Sequence, residues 1–160
     1  MNANDIPQIL TSLEQAPAIL EAVVKSVPPA RLTERRREGA WTIAEHAIHL
    51  AEAQNRLTGR IRLILTEDNP EIVPYLPDPK APPVPQLTLK EALSAFAEER
   101  DRQLALLRPL PPASWRRPAR HPEYDAYGLH ILARHMLLHD HWHLYRMEEL
   151  WLTREPFLKA

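Results

Sequence analysis

The segment HMLLHDHWHLYRM, residues 135–147, holds four of the chain's eight histidines. A neutral imidazole can bind a metal, relay a proton or donate a hydrogen bond. Spacing decides which of these roles is open. His139 and His143 stand at i and i+4, so on a helix they stack one turn apart, with Cβ atoms about 5–6 Å from each other. Two imidazoles so placed can share one divalent ion, as in helical H-x-x-x-H zinc sites. Buried without an ion or polar partners, the same pair would leave costly unsatisfied nitrogens. A third ligand would have to come from another helix. His46 and His49, in WTIAEHAIHL, are the candidates there, and His135 is a further alternative on the same helix as the pair.

Four amphipathic helices with apolar residues at helical spacing must position these side chains. The fourth runs from about Leu129 to Trp151. Its core stripe, Leu129, Leu132, Met136, Met147 and Leu150, spans an arc of about 60° on a helical wheel. His139 and His143 fall inside that arc, and His135 lies at its edge. His130 and His141 point to the opposite side and are expected in solvent, and Asp140 points away from the stripe. The second helix opens with a capping box, Thr42 and Glu45, and continues with Ile43, Ala47, Leu50, Leu57, Ile61 and Leu65 on one face. His46 lies about 60° from the centre of that face and His49 about 120°. The wheel therefore favours His46, but a bundle helix touches two neighbours, and spacing alone does not choose.

The first helix is expected from Asp5 to Val27, with Asp5 as N-cap, Pro7 in the first turn and Pro17 on the apolar stripe. The third begins at a second capping box, Thr88 with Glu91, and follows Leu89, Leu93, Phe96, Arg100, Gln103 and Leu107. Between the second and third helices, residues 66–87 contain seven prolines, which forbid a regular helix or central strand. So long a connector can carry the chain across the bundle and let two consecutive helices run parallel. The second connector, ASWRRPARHPEYDAYG, is basic and aromatic and is expected to pack as a loop. No alternating strand pattern is visible. The reading is all-α: one domain, residues 1–160, folded as a four-helix bundle with a long Pro-rich crossover between helices two and three.

Composition excludes several classes. At 44% hydrophobic and 26% charged the chain is ordinary globular material. A net charge of −1 gives no field to recruit nucleic acid or an acidic membrane. The arginines of RLTERRREG read as a solvated loop. There is no cysteine, so disulfides and thiolate ligands are impossible, and a nucleophilic thiol would have to come from outside the chain. No stretch approaches the ~20 apolar residues of a membrane span, and the first residues lack a secretory pattern, so a cytoplasmic location is expected.

WTIAEHAIHLAEAQ resembles the W-[ST]-x-x-E-x-x-x-H-L signature of the DinB-like, YfiT-type superfamily. HDHWHLYRM resembles that family's C-terminal H-x-x-x-H-x-x-Q signature. The order of the motifs, their separation, the Pro-rich connector and the chain length all agree with it. The resemblance implies a four-helix bundle holding a divalent metal on three histidines, here His49, His139 and His143. It thus selects His49 over His46. Arg146 stands where many members have Gln.

Three imidazoles leave a coordination position open, the mark of a catalytic site. Zinc is the default ion for an all-imidazole set, with nickel, manganese and iron as alternatives. Members of the family include enzymes that use a low-molecular-weight thiol such as bacillithiol, mycothiol or glutathione. The resemblance therefore implies a thiol S-transferase whose thiolate attacks an electrophile. The alternatives are a hydrolase using metal-bound hydroxide and a non-catalytic metal-binding or stress-response protein. Arg56 and Arg60 follow His49 on nearly the same helix face, and with Arg146 they are candidate substrate contacts. A homodimer is expected, with Trp151 and Phe157 exposed near the C-terminus as its contact.

Overall fold

The structure is a computed structural model that describes residues 4–74 and 87–158. The helices are α1 (Ile6–Ser26), a short α2 (Pro29–Leu32), α3 (Ile43–Thr66), α4 (Leu89–Leu107) and α5 (Leu129–Leu152). The four long ones are the four read from periodicity. Both capping boxes form. Thr42 Oγ1 accepts from the Glu45 N–H at 3.1 Å, while Glu45 Oε2 accepts from the Thr42 N–H at 2.7 Å. Thr88 and Glu91 repeat the exchange at α4.

Packing fixes the helix directions. One apolar cluster joins Ile9 and Leu13 of α1, Ile61 and Ile64 of α3, Leu104 and Leu107 of α4, and Leu129 to Met136 of α5. A second joins Leu20 and Val24, Ile43 to Leu50, Ala92 and Phe96, and Met147 with Leu150. Early α3 thus meets early α4, and late α3 meets late α4, so these consecutive helices run parallel. α1 and α5 run the other way. The crossover expected from the Pro-rich connector is therefore real, although most of its prolines lie outside the described residues.

Between the two apolar clusters lies a polar belt. Arg100, 0% exposed, donates from Nη2 to Asp140 Oδ2 at 2.8 Å and to Gln54 Oε1 at 3.2 Å. Gln103 Nε2 reaches Gln54 Oε1 and Thr58 Oγ1. The expectation that Asp140 points away from the core is corrected: it is 1% exposed. The wheel compared Asp140 with the apolar stripe, whereas the buried surface of α5 extends round to Arg100 on α4.

Two more expectations fail nearby. His130 is buried rather than solvated, because its Nε2 bonds Asp5 Oδ1 at 2.6 Å. Asp5 does occupy the N-cap position, but its side chain makes no cap bond and serves α5 instead. The arginine-rich loop is not merely solvated. Arg36 donates to the Leu150 and Thr153 carbonyls, both at 2.7 Å, and so caps the C-terminus of α5 with a cation. Trp151 packs partly buried against the second apolar cluster, whereas Phe157 is 72% exposed.

The second connector is not a plain loop. After buried Trp115 it forms an antiparallel hairpin, β1 (Pro118–His121) and β2 (Tyr124–Gly128). These strands are too short, and too polar outside Ala119 and Tyr127, to display period-two alternation. The Arg120 backbone bonds Pro70 and Ile72, tying the start of the Pro-rich connector to the hairpin. Gly128 ends β2 against the Arg117 carbonyl. An added Cβ would lie 2.4 Å from that oxygen, and the oxygen also accepts the Leu129 N–H. Gly128→Ala is expected to cost about 1–3 kcal/mol, as overpacking does. A denaturant midpoint equal to that of the parent would contradict this contact.

Candidate metal centre

At one edge of the polar belt, α3 and α5 run antiparallel and face each other with imidazoles. His49, His139 and His143 each present a ring nitrogen, and the three nitrogens lie within 4.8 Å of one another. His49 Nε2 and His139 Nε2 are 3.2 Å apart. Zn–N bonds of about 2.0–2.1 Å in a tetrahedron put ligand nitrogens roughly 3.3 Å apart. The donor set therefore fits a divalent ion in chemistry, and the His49–His139 pair fits it in scale. His139 Nδ1 is buried without a protein partner, which leaves Nε2 as the nitrogen that faces His49.

His46, favoured by the wheel, is not in this group, and neither is His135. His46 is the more buried of the two α3 histidines at 3% exposure, yet its Nδ1 lies 2.8 Å from His143 Nδ1. The reason is positional: the three nitrogens converge at the edge of the bundle beside a cavity, not at its axis. The less buried His49 reaches them there. One of the two Nδ1 atoms must donate. Were an ion held by His143 Nε2, His143 Nδ1–H would donate and His46 Nδ1 would accept, an imidazole in the place that a carboxylate takes in other metal sites. His135 instead makes a 3.3 Å hydrogen bond with Tyr127 Oη.

Two indoles cover the cluster. Trp41 stacks on His143 at 5.8 Å and 18°, and its ring centre is 4.8 Å from that of His49. Trp142 meets His143 edge-on at 4.7 Å. Trp142 was not singled out from the sequence. Glu45 is occupied by its cap and by Arg35, 2.6 Å away, so it orients no imidazole.

Burial, aided by the charge of His139, pushes the His143 imidazolium down to about 2. Burial lowers His46 and His139 to about 4, and it lowers His49 as well. The rings are therefore neutral at pH 7, as metal ligands must be. A stability prediction follows for the metal-free protein. Unfolded histidines take up protons below about 6.5, but buried His46 and His143 resist until far lower pH. Stability is thus fully present above about pH 6.5 and declines as the pH falls, with a slope approaching about 1.4 kcal/mol per pH unit for each such histidine. Urea midpoints at pH 7 and pH 5 check this; equal midpoints would contradict it.

A cavity of about 590 Å³ opens beside His49 and His139. Arg56 and Arg60, the substrate contacts expected from the sequence, line it. The hairpin supplies its opposite wall through His121, Tyr124 and Tyr127. Arg146 is placed elsewhere: it pairs with Glu149 one turn along α5, and its charge acts on His46. The hairpin wall escaped sequence reasoning because its strands did.

An all-α bundle with parallel consecutive helices and a three-imidazole cluster between antiparallel ones defines a narrow class. The chain belongs to the DinB superfamily, which it matches over residues 12–147. It is similar to the protein named "Putative metal-dependent hydrolase YfiT" of Bacillus subtilis, with 31% identity over 86% of this chain and 79% of that one. It is also similar to a protein of the same description from Oceanobacillus iheyensis, with 32% identity over 78% of this chain and 73% of the relative. The solved structure of Bacillus subtilis YfiT, described as a four-helix bundle of unusual topology, superimposes with a TM-score of 0.78. That match has 27% identity and covers 94% of this chain and 87% of the other. No helix among the described residues is long and apolar enough to cross a membrane.

Proposed function

We propose that the chain is a divalent-metal-dependent hydrolase whose ion is held by His49, His139 and His143. The observation that carries this reading is the convergence of three ring nitrogens within 4.8 Å at the edge of a small-molecule-sized cavity. When bound, the ion supplies a Lewis acid that brings water, or a thiol, towards its anion near neutral pH. The chain's own residues do the rest. Burial keeps the three imidazoles unprotonated. His46 holds His143 in one orientation and tautomer. Trp41 and Trp142 pack against the cluster, and Trp142 also lines the cavity.

The names of the relatives favour hydrolysis over the thiol S-transfer implied by the motif resemblance. The thiol reading rests on the same centre, and the absence of cysteine means that a thiol would be a co-substrate. Zinc-loaded and chelator-stripped protein, assayed on a panel of activated esters and amides with and without glutathione, bacillithiol or mycothiol, separates the two. Metal-dependent turnover without thiol supports the hydrolase. Turnover that requires thiol supports the transferase. No metal-dependent turnover on either panel removes both. A homodimer is part of the same proposal, with exposed Phe157 as its contact, and a monomer by light scattering would remove it.

A further inference from the structure

The cavity beside the imidazoles has a charge that its size alone does not explain. Arg56 and Arg60 project along one side from α3, and His121 and His135 stand across from them. Among the described residues, Glu123 is the only acid on the lining, and it is exposed in the hairpin turn. The two guanidiniums are the fixed positive charges on this lining. Burial, with Arg60 nearby, lowers His135, and burial raises Tyr127 despite Arg60, so both face the cavity uncharged. Three neutral imidazoles would leave the two charges of a bound ion uncompensated, so loading the site raises this potential further.

The rest of the lining is apolar or aromatic. Tyr124 and Tyr127 lie 5.5 Å apart on the hairpin, and Leu138 and Trp142 stand exposed on α5. These surfaces accept a flat or hydrocarbon body while the guanidiniums take its charged end. Arg60 is held in place by a 2.9 Å bond to the Val73 carbonyl, so one donor is pre-positioned by the connector.

We propose that this cavity binds a small organic carboxylate, its anionic end on Arg56 and Arg60 and its body against Tyr124, Leu138 and Trp142. This deepens the hydrolase reading by naming the substrate class of the same site, and it rests on that reading for the reaction but not for binding.

The test uses benzoate and benzamide, which share a shape and differ in charge. Calorimetry is run on zinc-loaded and chelator-stripped protein, each as wild type, Arg56→Met and Arg60→Lys. The expected result is that stripped wild-type protein binds benzoate at least about tenfold more tightly than benzamide, the scale of one charge-assisted bond. Arg56→Met should remove about tenfold of that, and added salt should weaken binding. Arg56 is exposed on α3, so its replacement leaves the core intact. Arg60→Lys keeps the charge and should lose less than Arg56→Met if charge dominates. Equal binding of the two probes, or benzoate binding indifferent to both arginine changes, overturns the proposal. Benzoate binding that appears only with zinc and ignores Arg56 also overturns it, and leaves the metal reading standing. Arginine-dependent benzoate binding by a protein that takes up no metal would sustain the proposal while the hydrolase reading fell.

Discussion

Alanine at His143 is expected to weaken zinc binding by more than about 100-fold, whereas His46→Leu should weaken it by only about 10–100-fold. The difference separates a ligand from its support. His143 is one of the three nitrogens that converge, and it alone connects that group to His46 through the 2.8 Å contact. Its loss removes a bond to the ion and leaves two imidazoles to hold it. Loss of His46 leaves all three ligands in place but frees the His143 ring to rotate and to change tautomer. His46→Gln, which can still accept from His143 Nδ1–H through its amide oxygen, should recover part of the affinity. Competition against a chromophoric chelator gives the affinities, and far-UV circular dichroism checks that each variant folds. If His46→Leu were as damaging as His143→Ala, His46 would be a ligand itself. If it had no effect, the bond between the rings would be idle.

The second large effect concerns the polar belt. Arg100 and Asp140 face each other at 2.8 Å, with side chains 0% and 1% exposed. Removing either partner leaves the other as an uncompensated buried charge. Arg100→Met and Asp140→Leu should each cost about 3–5 kcal/mol. Burial already holds the Asp140 carboxyl up at about 6 despite the opposing guanidinium, so this charge has little solvent to fall back on. The double variant should recover most of the loss, because two apolar side chains of similar volume leave no orphaned charge in the core. Urea unfolding of the four proteins in the cycle measures the coupling. Losses that simply add would mean that the pair is not a unit.

Much of this architecture was legible from local rules. The boundaries of α3 and α4 are set by Thr42 with Glu45 and by Thr88 with Glu91, short-range signals complete within four residues. The pairing of His139 with His143 needed only helical spacing. The proline run predicted a crossover, and the parallel course of α3 and α4 agrees with it. The failures share a physical origin in contacts between elements distant in sequence. His46 was favoured because a wheel measures distance from one helix's apolar stripe and knows nothing of where a neighbour's imidazoles converge. Asp140 was placed away from the stripe, and His130 in solvent, because Arg100 and Asp5, their partners, lie 40 and 125 residues away. The hairpin was missed because Tyr127 and Ala119 alone face inward, too few for a pattern. His49 itself was chosen by motif resemblance, and the geometry that places it with His139 and His143 was not available from spacing.

The central claim is that one divalent ion sits among these three imidazoles. Anomalous diffraction at the zinc absorption edge, from crystals of zinc-loaded protein, tests it most directly. The expected result is a single strong peak about 2.0–2.1 Å from one ring nitrogen each of His49, His139 and His143, with His46 outside bonding distance of the ion. A peak elsewhere, or none at this cluster in fully loaded protein, would contradict the claim and remove the enzyme reading built on it.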